Sequence, residues 1–149
     1  MNDPSNPFGS GSGFLTFTYL IQNNVGSLDS MDRFTVASFA GVSTDVSYQA
    51  PAGSGILPTS VDRSATGDTI GYSFTLLGSG VVSPGSTSAL LVVQTNAKSS
   101  TATNAYVIDG STAQVSSFAP APGAGVPEPA TLSIAVLGGA ALLLRRRRV

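Results

Sequence analysis

Apolar and polar side chains alternate in short segments of this chain from Phe14 onward. In FLTFTYLIQNN, residues 14–24, every second side chain is apolar, and these fall at Leu15, Phe17, Tyr19 and Ile21. A period of two residues is typical of a half-buried β-strand. The same period recurs in DRFTVASFAG (32–41), TDVSYQAP (44–51) and DTIGYSFTLLG (68–78). Each of these segments therefore predicts one strand.

The segment SALLVVQTN, residues 88–96, is instead continuously apolar at its centre, which predicts a central strand covered on both faces. Two weaker strands, around 105–108 and 113–118, flank Asp109-Gly110. About seven strands with no helix before residue 126 predict an all-β domain over 14–118. We expect an antiparallel, immunoglobulin-like β-sandwich, although the pattern does not give the strand order.

Glycine, proline and small residues separate this domain from both ends of the chain. Residues 1–13 (MNDPSNPFGSGSG) predict a flexible N-terminal segment. Residues 119–125 carry prolines and glycines without charge, and such a composition predicts an extended linker.

The chain contains no cysteine and no histidine. This excludes disulfides, thiolate metal sites and every Ser-His-Asp catalytic triad. Residues 1–125 carry three basic side chains against seven aspartates, so the domain lacks the basic face that nucleic-acid binding requires. We expect no cofactor and no nucleic-acid partner.

Aspartates are the remaining candidates for chemistry, above all Asp29, Asp32, Asp62 and Asp68. Paired carboxylates could hydrolyse glycosides or ligate calcium. Aspartate is also a standard turn residue, and all four fall in predicted turns. We therefore expect no catalytic residue and no metal site, and the protein is predicted not to be an enzyme.

A carbohydrate- or calcium-binding module is the alternative function, and a hydrolase is a more distant one. Exposed aromatic rings beside the aspartates would favour sugar binding. The tyrosines to inspect are Tyr19, Tyr48, Tyr72 and Tyr106, although a core position is the commoner state for this residue type.

The last 24 residues, 126–149, combine three features in a fixed order. Val126-Pro127-Glu128-Pro129 is followed by an uncharged segment, 130–144, and then by Arg145, Arg146, Arg147 and Arg148. A helix of 15 residues spans about 22 Å, which is short against a hydrocarbon core of about 30 Å. Arginine side chains can extend it by reaching the lipid interface, and they favour the cytoplasmic side. We expect one short transmembrane helix with the β domain outside.

This order of motif, apolar segment and arginine cluster resembles the PEP-CTERM sorting signal of Gram-negative bacteria. The resemblance implies that Pro127, Glu128 and Pro129 form the sorting motif, while Arg145–Arg148 set the topology. It also implies an exosortase as the processing partner and a transient anchor in inner-membrane lipid through 130–144. The destination is then the cell surface or extracellular matrix, in an exopolysaccharide or biofilm context.

Members of this family are exported by an N-terminal signal peptide. Residues 1–13 contain no basic residue and no apolar run, so they do not have the composition of such a signal. We therefore expect that the true start lies upstream of Met1.

Overall fold

A computed structural model describes residues 3–9, 12–50, 54–75 and 80–123 of the chain. This part is all-β and contains no helix. Its eight strands are β1 (Thr16–Tyr19), β2 (Arg33–Val36), β3 (Thr44–Gln49), β4 (Ser60–Arg63), β5 (Ile70–Ser73), β6 (Leu90–Thr95), β7 (Ser100–Ile108) and β8 (Thr112–Pro120).

The strands form two antiparallel sheets. The smaller sheet has the order β1-β6-β3, and the larger has the order β4-β5-β2-β7-β8. All pairings in the two sheets are antiparallel. The predicted all-β, antiparallel class is thus confirmed.

One hydrophobic core is shared by the two sheets. Val36 and Ile70 of the larger sheet and Leu91 and Val93 of the smaller sheet are completely buried within it. Aromatic rings also meet across the sheets, since the centroid of Tyr19 lies 5.4 Å from that of Phe34. The fold is therefore stabilised mainly by burial of apolar surface between the sheets.

The alternation in the sequence marks the buried faces correctly. Phe17 and Ile21 are buried, and Leu15 and Tyr19 are partly buried against the core.

The alternation pattern did not predict strand β4, which contains Asp62. The prediction of a turn at Asp62 was therefore wrong: its backbone pairs with Gly71 in a sheet.

Strand β6 is buried almost throughout, as its continuous apolar run predicted. It lies between β1 and β3, and the N-terminal segment 3–9 adds contacts to it. Asn6 donates a hydrogen bond of 3.0 Å to the Thr95 carbonyl, and the Gln94 amide donates to Asp3 Oδ2 at 3.0 Å.

Strands β7 and β8 form a hairpin that closes through Asp109 and Gly110. Gly110 has a φ of 84°, a left-handed conformation that glycine adopts without a steric cost. The Asp109 carboxylate accepts hydrogen bonds from the backbone and hydroxyl of Ser111, at 3.2 and 2.8 Å. Strand β8 continues to Pro120, two residues into the predicted linker, because Ala119 is completely buried in the core.

Candidate functional site

The predicted sorting residues Pro127, Glu128, Pro129 and Arg145–Arg148 lie outside the described residues, as does the apolar segment 130–144. The described part of the chain has no helix long and apolar enough to cross a membrane. The candidate sites that the structure can place are therefore the aspartates, the tyrosines and the grooves of the two sheets.

Asp62 on β4 forms an ion pair with Arg33 on β2, which lies two positions away in the same sheet. The Arg33 guanidinium on β2 donates to both oxygens of Asp62 on β4, at 2.8 Å each, and also to the Ser73 hydroxyl at 2.6 Å. This bidentate hydrogen bonding with Arg33 lowers the pKa of Asp62 and raises that of Arg33. Asp62 is thus an ionised structural partner of Arg33.

The Arg33–Asp62 ion pair crosses strand β5 above Gly71. A side-chain Cβ placed at Gly71 would overlap the Arg33 guanidinium and approach Asp62. A larger residue at this position would therefore displace the ion pair from the space that it fills. The glycine, arginine and aspartate together join three neighbouring strands.

The other predicted aspartates do not form a ligand cluster. The backbone carbonyl of Asp68 accepts a hydrogen bond from the Phe39 amide, and that of Asp32 accepts one from Phe74. The carbonyl of Asp29 accepts from the Asn23 amide at 2.9 Å. Among the residues that the structure describes, no three potential metal ligands come together.

The four tyrosines occupy different environments. Tyr72 is completely buried and donates a hydrogen bond of 3.0 Å to the Val92 carbonyl. Tyr19 on β1 and Tyr106 on β7 are partly buried, whereas Tyr48 on β3 is 43% exposed. Because side chains alternate along a strand, Tyr48 and Asp45 point to opposite faces of β3. This separates the exposed tyrosine from the aspartate nearest to it in the strand.

A groove of about 610 Å³ lies between strand β1 and the β7–β8 hairpin. Buried core side chains, among them Phe34 and Val107, form its apolar floor. Exposed apolar side chains stand at its margins: Leu20 after β1, and Val115 and Phe118 on β8. The groove is therefore an apolar surface bounded by two sheet edges.

One hydrogen bond joins the two edges of the groove. The Tyr19 hydroxyl donates to the Phe118 carbonyl at 2.8 Å. Burial raises the pKa of the Tyr19 phenol well above its ordinary value, and the nearby Tyr72 phenol adds to this shift. Tyr19 consequently remains a neutral hydrogen-bond donor at physiological pH.

Two polar side chains at the groove, Asn23 and Asp109, are engaged in holding the structure. The Asn23 amide donates to the carbonyls of Asp29 and Val82, both at 2.9 Å, and Asp109 caps the β7–β8 turn. The floor of the groove thus offers contact with apolar side chains, while polar side chains such as Thr18 and Gln22 also line it. The sequence pattern did not indicate this groove, because it depends on which strands lie at the sheet edges.

Comparison with known proteins gives no match: no protein-family model, no curated protein and no solved structure is detectably similar to this chain.

Proposed function

We propose that this chain is a non-enzymatic surface or matrix protein, delivered by a C-terminal PEP-CTERM signal. One observation carries the proposal: Pro127-Glu128-Pro129, the uncharged segment 130–144 and Arg145–Arg148 follow one another at the end of the sequence. Each feature alone is common. Their order and spacing together fit the three parts of the sorting signal.

The described residues support a structural role for the domain. The Asp62 carboxylate is ion-paired with Arg33. Asp3 accepts hydrogen bonds from Ser5, Thr16 and Gln94. These carboxylates join neighbouring strands or fasten the N-terminal segment. Such contacts suit a domain whose role is to present a stable surface.

In finer detail, the two sheets form an immunoglobulin-like β-sandwich in this proposal. The ring contact between Tyr19 and Phe34 and the hydrogen bond from Tyr72 to Val92 join strands of different sheets. Layered packing of two antiparallel sheets is the arrangement expected of that architecture.

The proposed route follows from the charge distribution. Four arginines favour the cytoplasmic side of the inner membrane, so the β domain and the Pro127–Pro129 motif lie outside. Residues 130–144 hold the chain in the lipid as a short helix until an exosortase acts near the motif. The released domain then resides at the cell surface or in the matrix, where exopolysaccharide is the proposed neighbour.

The test is to express the gene with its upstream DNA in its native host. Mass spectrometry then reads the C-terminus of the extracellular protein. We expect the wild-type protein to have lost Arg145–Arg148, while Glu128→Ala leaves an uncleaved protein in the membrane fraction. Pro122→Ala, in the linker ahead of the motif, is the matched control and is expected to be processed normally. An intact arginine cluster on the extracellular form would overturn the proposal.

A further inference from the structure

Strand β8 is the longest free sheet edge in the described part of the chain. It has nine residues and pairs with β7 on one side only. The other edge strands, β1, β3 and β4, have four to six residues. A free edge presents unpaired backbone donors and acceptors that a further strand can use.

The hairpin fixes which backbone groups face outward. Asp109 donates its amide to the Ser111 carbonyl, and Ala121 donates to Ser99. Because hydrogen-bonded pairs alternate along an antiparallel ladder, the odd-numbered residues of β8 bond to β7. The backbone amides and carbonyls of the even-numbered residues point away from β7. The hydrogen bond that the Phe118 carbonyl accepts from Tyr19 agrees with this alternation. In the exposed stretch before Phe118, the outward-facing backbone groups belong to Thr112, Gln114 and Ser116.

No charge protects this edge. The sequence of β8, TAQVSSFAP, contains no Lys, Arg, Asp or Glu. Of the other edge strands, β4 carries Asp62 and Arg63 and β3 carries Asp45, whereas β1 is uncharged but has only four residues. Proteins commonly place charges on edge strands to prevent intermolecular pairing. The centre of β8 lacks that protection and is exposed from Thr112 to Ser116.

The chemistry of β8 matches that of its own copy. If two β8 strands pair antiparallel about Gln114, Thr112 lies opposite Ser116, and Gln114 lies opposite its equivalent. Ala113 then lies opposite Val115, which is 43% exposed in the single chain. Thr opposite Ser is a favourable cross-strand pair, and the other opposed positions bring together two amides or two apolar side chains without any charge.

We propose that a second copy of this chain pairs with it through β8, antiparallel and centred on Gln114. The domain is acidic, so surfaces of two copies that carry aspartates repel each other. Contact between two copies through the uncharged strand β8 avoids this repulsion. The pairing joins the two larger sheets into one continuous sheet. It is independent of the C-terminal sorting signal.

The interface is small. Five residues from each copy bury less area than the roughly 1,200–2,000 Å² of a stable specific complex. We therefore expect dissociation constants on the order of 100 μM. Sedimentation equilibrium on the full chain in detergent, over a concentration series up to about ten times that value, measures the association.

Substitutions on the outward side of β8 test the register. Gln114→Lys places two positive charges opposite each other, and Gln114→Pro removes an amide that the β7 ladder does not use. Both are expected to weaken association at least tenfold. Asn104→Lys, an equally exposed position on the neighbouring strand β7, is the matched control for charge. Unfolding curves establish that each variant is folded.

Because the chain contains no cysteine, a single cysteine can be introduced at a chosen position and cross-linked between two copies. A short bis-maleimide is expected to link Gln114→Cys into dimers much faster than Asn104→Cys. Three outcomes would overturn the proposal: a monomeric wild-type chain throughout the series, equal weakening by Asn104→Lys, or equal cross-linking at both positions. Binding of an unrelated extended peptide to a chain that stays monomeric would also overturn it and would assign the edge to another partner.

Discussion

The hydroxyl of Tyr19 donates a hydrogen bond to the carbonyl of Phe118 across 99 residues of sequence. Tyr19 ends β1, an edge strand of the smaller sheet, and Phe118 lies in β8, an edge strand of the larger one. The Phe118 carbonyl points away from β7, so no neighbouring strand can satisfy it. The tyrosine therefore closes one end of the groove and fastens β8 to the other sheet.

Tyr19→Phe tests this connection, because it removes the hydroxyl and leaves the ring packed on Phe34. We expect a loss of about 1 kcal/mol in the free energy of unfolding, measured by urea denaturation. Hydrogen exchange at the Phe118 end of β8 is expected to accelerate more than exchange in β6. Tyr48→Phe, at an exposed site on β3, is the control. An equal loss in both variants would contradict the assigned role.

High pH provides a second test of the buried phenols. Burial raises the pKa of Tyr19 and of Tyr72, while tyrosine in an unfolded chain ionises near pH 10. The unfolded protein therefore releases these protons first, and its free energy falls relative to that of the folded protein. The stabilisation is complete below about pH 10 and is lost as pH rises towards the folded pKa values.

We expect the free energy of unfolding to decline steeply above pH 10 in the wild-type protein. The double variant Tyr19→Phe/Tyr72→Phe is less stable at pH 8 but is expected to decline less steeply. Urea denaturation at a series of pH values gives both slopes. Identical slopes in the two proteins would show that neither phenol is responsible.

The strand segments were predictable because burial follows the alternation of the sequence. Phe17 and Ile21 face the core, and the continuous apolar run of β6 is buried. Strand β4 escaped prediction because its exposed Asp62 and Arg63 replace the apolar alternation with charge. Its pairing with β5 depends on backbone hydrogen bonds and on the reach of Arg33, and neither leaves a local signal.

The groove and the free edge of β8 could not be predicted from local patterns. Both depend on strand order, and the smaller sheet joins β1, β6 and β3, which are far apart in the sequence. One signal was nevertheless present in the sequence: residues 112–120 contain no charge. The lack of charged residues can be interpreted only once β8 is known to be an edge strand.

Gly71 offers a test of close packing beneath the Arg33–Asp62 pair. Gly71→Ala places a methyl group where the guanidinium lies, so the ion pair must move or the strands must separate. We expect a loss of about 0.5–1 kcal/mol in the free energy of unfolding, because the displaced groups are the ends of two flexible, partly exposed side chains. Gly26→Ala is the matched control, because an added Cβ there meets nothing closer than 3.9 Å. A neutral Gly71→Ala variant would show that the pair does not require the glycine.

Acid pH tests the Arg33–Asp62 ion pair itself. Its hydrogen bonds lower the pKa of Asp62, so the unfolded chain binds the proton first as pH falls. The contribution to stability is therefore present above about pH 4 and is lost as pH falls through the folded pKa. Both side chains are partly exposed, at 32% for Arg33 and 51% for Asp62, and the pair is worth only about 0.5–1 kcal/mol.

A double-mutant cycle with Arg33→Met and Asp62→Asn isolates this coupling from the bond between Arg33 and Ser73. We expect a coupling free energy of about 0.5–1 kcal/mol at pH 7 and low salt. It should shrink in acid, as pH falls through the lowered pKa of folded Asp62, and in 1 M salt, where the charges are screened. Urea denaturation of the four proteins under the three conditions measures it. A coupling that persists unchanged in acid and in salt would mean that packing, and not charge, joins the two residues.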